Sequence, residues 1–506
     1  MPIPYDGEQF TLHNPDGSEV PVRAWGNQFS AVFETLDGYT VVEDPDNGYW
    51  TYATLSPDKQ ELLPAAYRVG AVDPARLDLP RHVRPQRRAG GTAARAALSV
   101  ADQRSRWEVR REQRRSRTAR APRGGPASAP PQEETTGDYV GLCLLVEFPD
   151  VPATILRQQV DAFCNQIGYS EFGNNGSVRD YFTEVSGGKL TYTNIVTAYY
   201  KAKHERAYYT DETIEQPVRA WELITEALDD LVARGFDFST LTADESGFVR
   251  ALNVFYTGRR VNNWAKGLWP HSWHLETGYR VTPTKQLFDY QITDLGDRLT
   301  LRTFCHENGH MICDYPDLYD YDVNPALQGY GVGHYCLMCF GGSDVNPVHV
   351  GAYLKHASGW ASSVTTVSPG TTFTLEAGTN DFLIHRRNAT EYFLLENRQQ
   401  EGRDRSLPDA GLAIWHVDEL GNNSNEQMTS AKHYECSLEQ ADNRFDLEHR
   451  ANAGDASDLY GAPFASKFGS GTTPDSRWWN GRKSGLEIDS VSASGPKMTV
   501  TTQKQP

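Results

Sequence analysis

Ten residues set the frame for this chain: Tyr139-Val-Gly-Leu-Cys-Leu-Leu-Val-Glu-Phe148, a near-continuous apolar run stopped by Pro149-Asp150. A strand without polar alternation is one buried on both faces. Residues 151–167 and 177–186 read as helical. Pro217 starts a stronger helix, in which Val218, Trp221, Ile224, Leu228 and Leu231 recur at three- and four-residue spacing before Gly235 ends it. Phe248 to Tyr256 is a second buried strand. The alternation predicts an α/β body.

Other patterns flank it. Residues 9–70 alternate apolar positions with turn signals such as Asn14-Pro-Asp-Gly and Asp46-Asn-Gly, a small β-rich unit of short hairpins. Beyond Trp360 only strands recur: Phe373 to Ala377, Phe382 to Arg386, Tyr392 to Arg398, Gly411 to Val417, Tyr434 to Leu438, and Leu486 to Val500 in two pieces. A β-rich C-terminal domain, a candidate sandwich, follows from this. The expected division is 1–75, a connector at 76–137, a body at 138–361 and a final domain at 362–506.

The connector departs from the rest in charge. Of 506 residues carrying a net −17, the segment from Arg76 to Arg123 holds fifteen Arg against four acidic residues, so the remainder carries −28. Trp107 is almost its only aromatic residue, too little apolar area to offset the entropy of ordering. It reads as a linker with a solvated helix near 100–120. Nucleic-acid binding is disfavoured, because no interleaved aromatics offer a stacking platform. No apolar stretch is long enough to span a membrane, and mean hydropathy is −0.58. The start, Met1-Pro-Ile-Pro-Tyr-Asp-Gly-Glu, lacks the pattern of a secretory signal. Seven Cys are too few for a disulfide scaffold, yet Cys305, Cys313, Cys336 and Cys339 cluster.

That cluster surrounds His306-Glu307-Asn308-Gly309-His310, an H-E-x-x-H pattern inside a predicted helix from Leu299 to Ile312. Four-residue spacing stacks the two imidazoles on one face, where they can share Zn²⁺, with Glu307 placed beside the metal's water. The bland alternative is an amphipathic helix with two surface histidines. A catalytic zinc needs a third ligand, and no Glu occurs between Glu307 and Glu376, so a downstream glutamate is disfavoured. Asp314, Asp317 and Asp320 remain. In a straight helix the Cα of Asp314 would lie about 12 Å along the axis from that of His306, so the chain must stop and turn back. Pro316 supplies the stop. Asp317, just past it, is the first candidate, Asp314 the second and Asp320 the third.

These residues resemble the immune inhibitor A family of metzincin-like zinc proteases, whose usual pattern is H-E-x-G-H-x-x-G-x-P-D-L-Y-D. The chain reads His306-Glu-Asn-Gly-His310-Met-Ile-Cys313-Asp-Tyr-Pro316-Asp317-Leu-Tyr-Asp320, with Cys313 in place of the family's Gly and one extra residue before Pro316. A Cys at a left-handed position carries a steric penalty, so the turn is expected to be built differently, one residue later. Gly331-Val-Gly-His-Tyr-Cys-Leu-Met338 resembles the family's Met-turn, with Met338 as a hydrophobic seat for the site. Trp269-Pro-His-Ser-Trp273, Pro347 to Trp360, Tyr392 to Arg398, Gly411 to Asp418 and the N-terminal unit also resemble family segments.

The resemblance implies an α/β (α+β) metzincin-like zinc protease domain with a small N-terminal β-rich prosegment, as in a zymogen, and a C-terminal β-rich domain. It implies a metalloendopeptidase acting on protein or peptide substrates, and secretion. Zinc held by His306, His310 and Asp317 would polarise the scissile carbonyl and acidify a water, while Glu307 would take that proton and pass it to the leaving amine. The second reading is a catalytically inactive metzincin-like binding protein. Latency could not come from a thiolate of residues 1–75, which contain no Cys, and would need a carboxylate, a His or steric cover.

Cys336-Leu-Met-Cys339 reads as buried thiols or a local disulfide rather than a zinc knuckle, and His271, His334, His349 and His356 as packed or surface residues. Gly454-Asp-Ala-Ser-Asp458 could help bind a structural Ca²⁺, although two carboxylates point more to a solvated loop.

Overall fold

A computed structural model describes residues 5–27, 30–59, 61–77, 79–85, 105–119, 134–262, 266–320, 329–423 and 428–504. The connector's 86–104 and 120–133 lie outside the described residues.

The first unit is a six-stranded antiparallel meander in sequence order: β1 (Tyr5–His13), β2 (Glu19–Asn27), β3 (Ser30–Thr35), β4 (Thr40–Glu43), β5 (Trp50–Leu55) and β6 (Leu62–Arg68). Phe10, Leu12, Val22 and Val41 form its core, into which Trp269 of the body inserts, 5.7 Å from the ring of Phe10.

In the body, β7 (Gly137–Glu147), β8 (Leu190–Lys201), β9 (Leu252–Tyr256), β10 (His271–Arg280) and β11 (Gln286–Asp294) form one sheet in the order β10-β11-β9-β7-β8. All neighbours run parallel except β10, which pairs antiparallel with β11 at the edge. The strand at 139–148 is therefore an interior one, as its unbroken apolar run requires. Helices α2 (Arg157–Asn165), α3 (Val178–Val185), α4 (Arg206–Tyr209) and α5 (Val218–Ala233) flank the sheet. One face buries Cys143, Leu145 and Val196 with α2 and α3, and the other buries Leu142, Leu144 and Val254 with α5. Each such aliphatic side chain, fully buried, contributes about 1.5–3 kcal/mol. The helix α6 (Leu301–Cys313) and the short α7 (Ala352–Ala357) follow.

The C-terminal region is strand-rich as expected. β12 (Ser363–Thr366), β14 (Asp381–Arg386), β15 (Glu391–Arg398), β16 (Gly411–Asp418) and β17 (Cys436–Leu438) make one sheet; β13 (Thr372–Glu376), β19 (Lys497–Thr502) and β18 (Ile488–Val491) make another. Phe393, Leu395 and Ile414 of the first share a core with Leu375, Met498 and Val500 of the second. The other side of the larger sheet does not close on itself: Tyr392, Leu394, Trp415 and Cys436 join the cluster that holds Phe304, Met338 and Trp360 of the body. One hydrophobic core thus crosses the division expected at 361/362.

One expectation is corrected. The helix foreseen in the connector exists as α1 (Arg106–Ala119), but it is not solvated. Trp107 is 6% exposed, and Arg110, Arg111 and Arg114 are paired with carboxylates of the body and of the C-terminal region. A sequence reading by apolar content misses this, because the helix is held by charge pairs and one aromatic anchor. The seven cysteines are all buried and unpaired, so Cys336 and Cys339 are thiols rather than a disulfide.

Candidate metal centre

The geometry of α6 follows from its sequence. Twelve of its thirteen residues are buried, and it ends at Asp314, which adopts the left-handed conformation (φ 56°, ψ 31°). Asp is among the few residues that tolerate this region, and Cys313 remains helical. The turn is thus built at Asp314, one residue beyond Cys313. Asp314 N–H donates to the His310 carbonyl and Tyr315 N–H to that of Gly309, closing the helix before Pro316 and sending the chain back along it.

The return places Asp317 against both histidines. Its Oδ1 lies 2.9 Å from His306 Nε2 and 3.3 Å from His310 Nε2, all three side chains having no exposed surface. Neither contact has hydrogen-bonding geometry. The opposite nitrogens are engaged, His306 Nδ1 with the Leu337 carbonyl at 3.1 Å and His310 Nδ1 with the Tyr315 carbonyl at 2.6 Å. A ring whose Nδ1–H donates to a carbonyl presents an Nε2 lone pair. Two imidazole lone pairs and one carboxylate converging in a dry pocket fit a divalent cation of zinc's preference. Burial alone would raise the Asp317 pKa, but His310 and His306 hold it well below the usual carboxylate range. Conversely, burial would lower that of His310, and Asp317 outweighs it.

The other candidates point elsewhere. Asp314 accepts from Arg110 Nε at 2.9 and 3.1 Å. Asp320 accepts from Tyr434 Oη at 2.9 Å and Gly329 N–H at 3.2 Å. Glu307 is 2% exposed and accepts at Oε2 from Ser272 Oγ on β10. Met338 is fully buried beneath α6, and its carbonyl accepts from Leu318 N–H at 2.7 Å. A Cβ at Gly309 would meet its Sδ at 2.9 Å. His271 sits between the Trp269 carbonyl and Tyr290 Oη, with burial drawing its pKa down to about 4. His334, His349 and His356 bind other groups and stay outside the cluster.

Sequence reasoning missed the polar support behind α6. Asn308 accepts from Tyr192 Oη at 2.6 Å and donates to Asn253 Oδ1 at 2.9 Å, which also accepts from Gln291 at 2.6 Å. These join β8, β9 and β11 to the helix. The available signal was polar residues inside otherwise apolar strands, each needing a partner once buried. It also missed Trp107, whose indole stacks on the His310 ring at 4.7 Å and 24°.

The acidic segment near 455 belongs to a second cluster. Asp455 lies with Asp442 and Asp446, while Asp458 turns inward to Tyr335 Oη at 3.0 Å. Asn452 donates to Asp446 and Asp455, and Arg444 approaches Asp442, so the cluster already has cationic and amide partners. Among the described residues no helix is long and apolar enough to cross a membrane. The chain matches no protein-family model and no curated protein sequence.

Proposed function

We propose that this chain is a zinc-dependent endopeptidase of metzincin-like fold, related in kind to the immune inhibitor A proteases and made with an N-terminal prosegment. The observation that carries the reading is the convergence of His306 Nε2, His310 Nε2 and Asp317 Oδ1, with each opposing Nδ1 committed to a carbonyl. These three residues would hold the cation, and Met338 would seat it. When bound, zinc supplies Lewis acidity toward a peptide carbonyl and toward water.

The chain's own residues do the rest. Glu307 takes a proton from water and delivers it to the departing amine, the two-way duty of a general base that becomes a general acid. Ser272 is a positioning residue, since its hydroxyl fixes one carboxylate oxygen of Glu307. The buried setting keeps bulk water from competing for that carboxylate.

Metal analysis and casein hydrolysis by the purified chain test this. One tightly held zinc and chelator-sensitive cleavage are expected, with Glu307→Gln retaining zinc and losing activity by a factor of about 10² or more. A chain without zinc, or a Glu307→Gln variant as fast as the parent, would leave the inactive binding protein as the better reading.

A further inference from the structure

We propose that the surface beneath α1 is an acidic recognition cleft for arginine-rich polypeptide segments, and that α1 is its resident, displaceable occupant. The cleft itself stands on its geometry; that such segments are substrates rests on the peptidase reading above.

The helix carries six arginines in 14 residues and lies across three parts of the molecule. Its N-terminus is capped by Asp289 of β11, which accepts from the Arg106 and Trp107 amides. Arg110 reaches Asp314 at the end of α6 and Asp244 at 3.1 Å. Arg111 pairs with Glu435, Arg114 with Glu419 at 3.0 Å, and Arg115 with the Gly421 carbonyl at 3.0 Å. Between these anchors Trp107 covers His310.

The carboxylates are fixed by the body and not only by the helix. Tyr353 Oη donates to Oε1 of Glu435 and Tyr392 Oη to Oε1 of Glu419, leaving each Oε2 turned to an arginine of α1. With α1 in place, the side chains of Glu419 and Glu435 are 3% and 4% exposed. Carboxylates held this dry require a cationic partner, and guanidinium is the group whose planar fork satisfies them best. With α1 withdrawn, the surface would present fixed acidic groups in a line ending at the metal centre, where another arginine-rich segment could lie. A tethered occupant competes at high effective concentration, so the apparent affinity for an added segment falls by the fraction of time the cleft is vacant.

The test uses the full chain with Arg111→Glu, Arg114→Glu and Arg115→Glu combined. Hydrogen exchange should show residues 105–119 losing protection while α6 keeps it. A fluorescent nona-arginine peptide should bind this variant at least about tenfold tighter than the parent. Adding Glu419→Lys and Glu435→Lys should abolish the gain, and a nona-glutamate peptide should show none. Retained protection of residues 105–119, an unchanged nona-arginine affinity, or a gain that survives the two lysines would each overturn the proposal. Should the triple reversal unfold the body, Arg114→Ala carries the same comparison, with about threefold tighter binding expected. Zinc content and casein turnover measured alongside separate the two readings. Tighter peptide binding by a chain that holds no zinc supports the cleft and removes the peptidase assignment.

Discussion

Met338 packs its sulfur into the space that a side chain at residue 309 would fill, with 2.9 Å between Sδ and the position of a Cβ on Gly309. The same Cβ would meet the Tyr315 ring at 3.3 Å. Alanine would favour the helix by up to about 1 kcal/mol. Overpacking of this kind costs about 1–3 kcal/mol, so Gly309→Ala should be net destabilising by about 1 kcal/mol. Urea denaturation of the variant is the measurement, and Gly309→Ala combined with Met338→Ala should leave less than the sum of the two single losses.

Asp317 and Asp314 should separate cleanly. Asp317→Ala removes one of three converging donors and should weaken zinc binding about 100-fold or more. Asp314→Asn touches no donor and keeps a side chain that tolerates the left-handed turn, so zinc should stay bound while the hold on Arg110 weakens. Competition against a zinc-sensitive chelator dye reads both. Equal losses in the two variants would reopen the assignment of the third ligand.

Zinc and a proton compete for His310. Burial works against the charged imidazole, but Asp317 prevails and raises the pKa above 6.5. Below that raised value the ring must lose a proton before it can ligate, so zinc affinity should fall about tenfold for each pH unit of acidification. Zinc retained after dialysis across pH 5 to 8 checks the slope. A flat profile would contradict a proton competing with zinc at His310.

Glu448 gives the opposite kind of pH dependence, in stability. Burial lifts its carboxyl from 4.5 to about 8, opposed by the Gln440 hydrogen bond at 2.6 Å. Below pH 4.5 both folded and unfolded chains hold the proton. As pH rises toward 8 the unfolded chain releases it while the folded chain keeps it, so stability declines and then levels off. Glu448→Gln should flatten this decline and be the more stable protein at pH 8.5, by thermal denaturation at each pH.

The H-E-x-x-H helix, its end ahead of Pro316 and the return that brings Asp317 back were legible because each rests on local rules: helical spacing, a missing amide and chain reach. The interior strand at 139–148 was legible for a similar reason, since unbroken apolarity has few outlets. What escaped depends on partners distant in sequence. β10 and β11 mix polar and apolar positions; Ser272 on β10 meets Glu307, and the pairing of β11 with β9 sets Gln291 by Asn253. Nothing near Ser272 in the sequence announces a glutamate 35 residues away. The docking of α1 was illegible in the same way, because its arginines are satisfied by Glu419 and Glu435, more than 300 residues downstream.

The core that runs from β7 through α6 to β16 and β17 makes the last 145 residues something other than a detachable appendage. Cys143, Cys164 and Cys436 are sealed in that one cluster, two in the body and one in the C-terminal sheet. A thiol reagent can reach any of them only when the cluster opens. If the halves part in a single event, all three will label at one rate, and a chain cut near residue 361 will expose Trp360, Tyr353 and Leu354 and aggregate rather than fold.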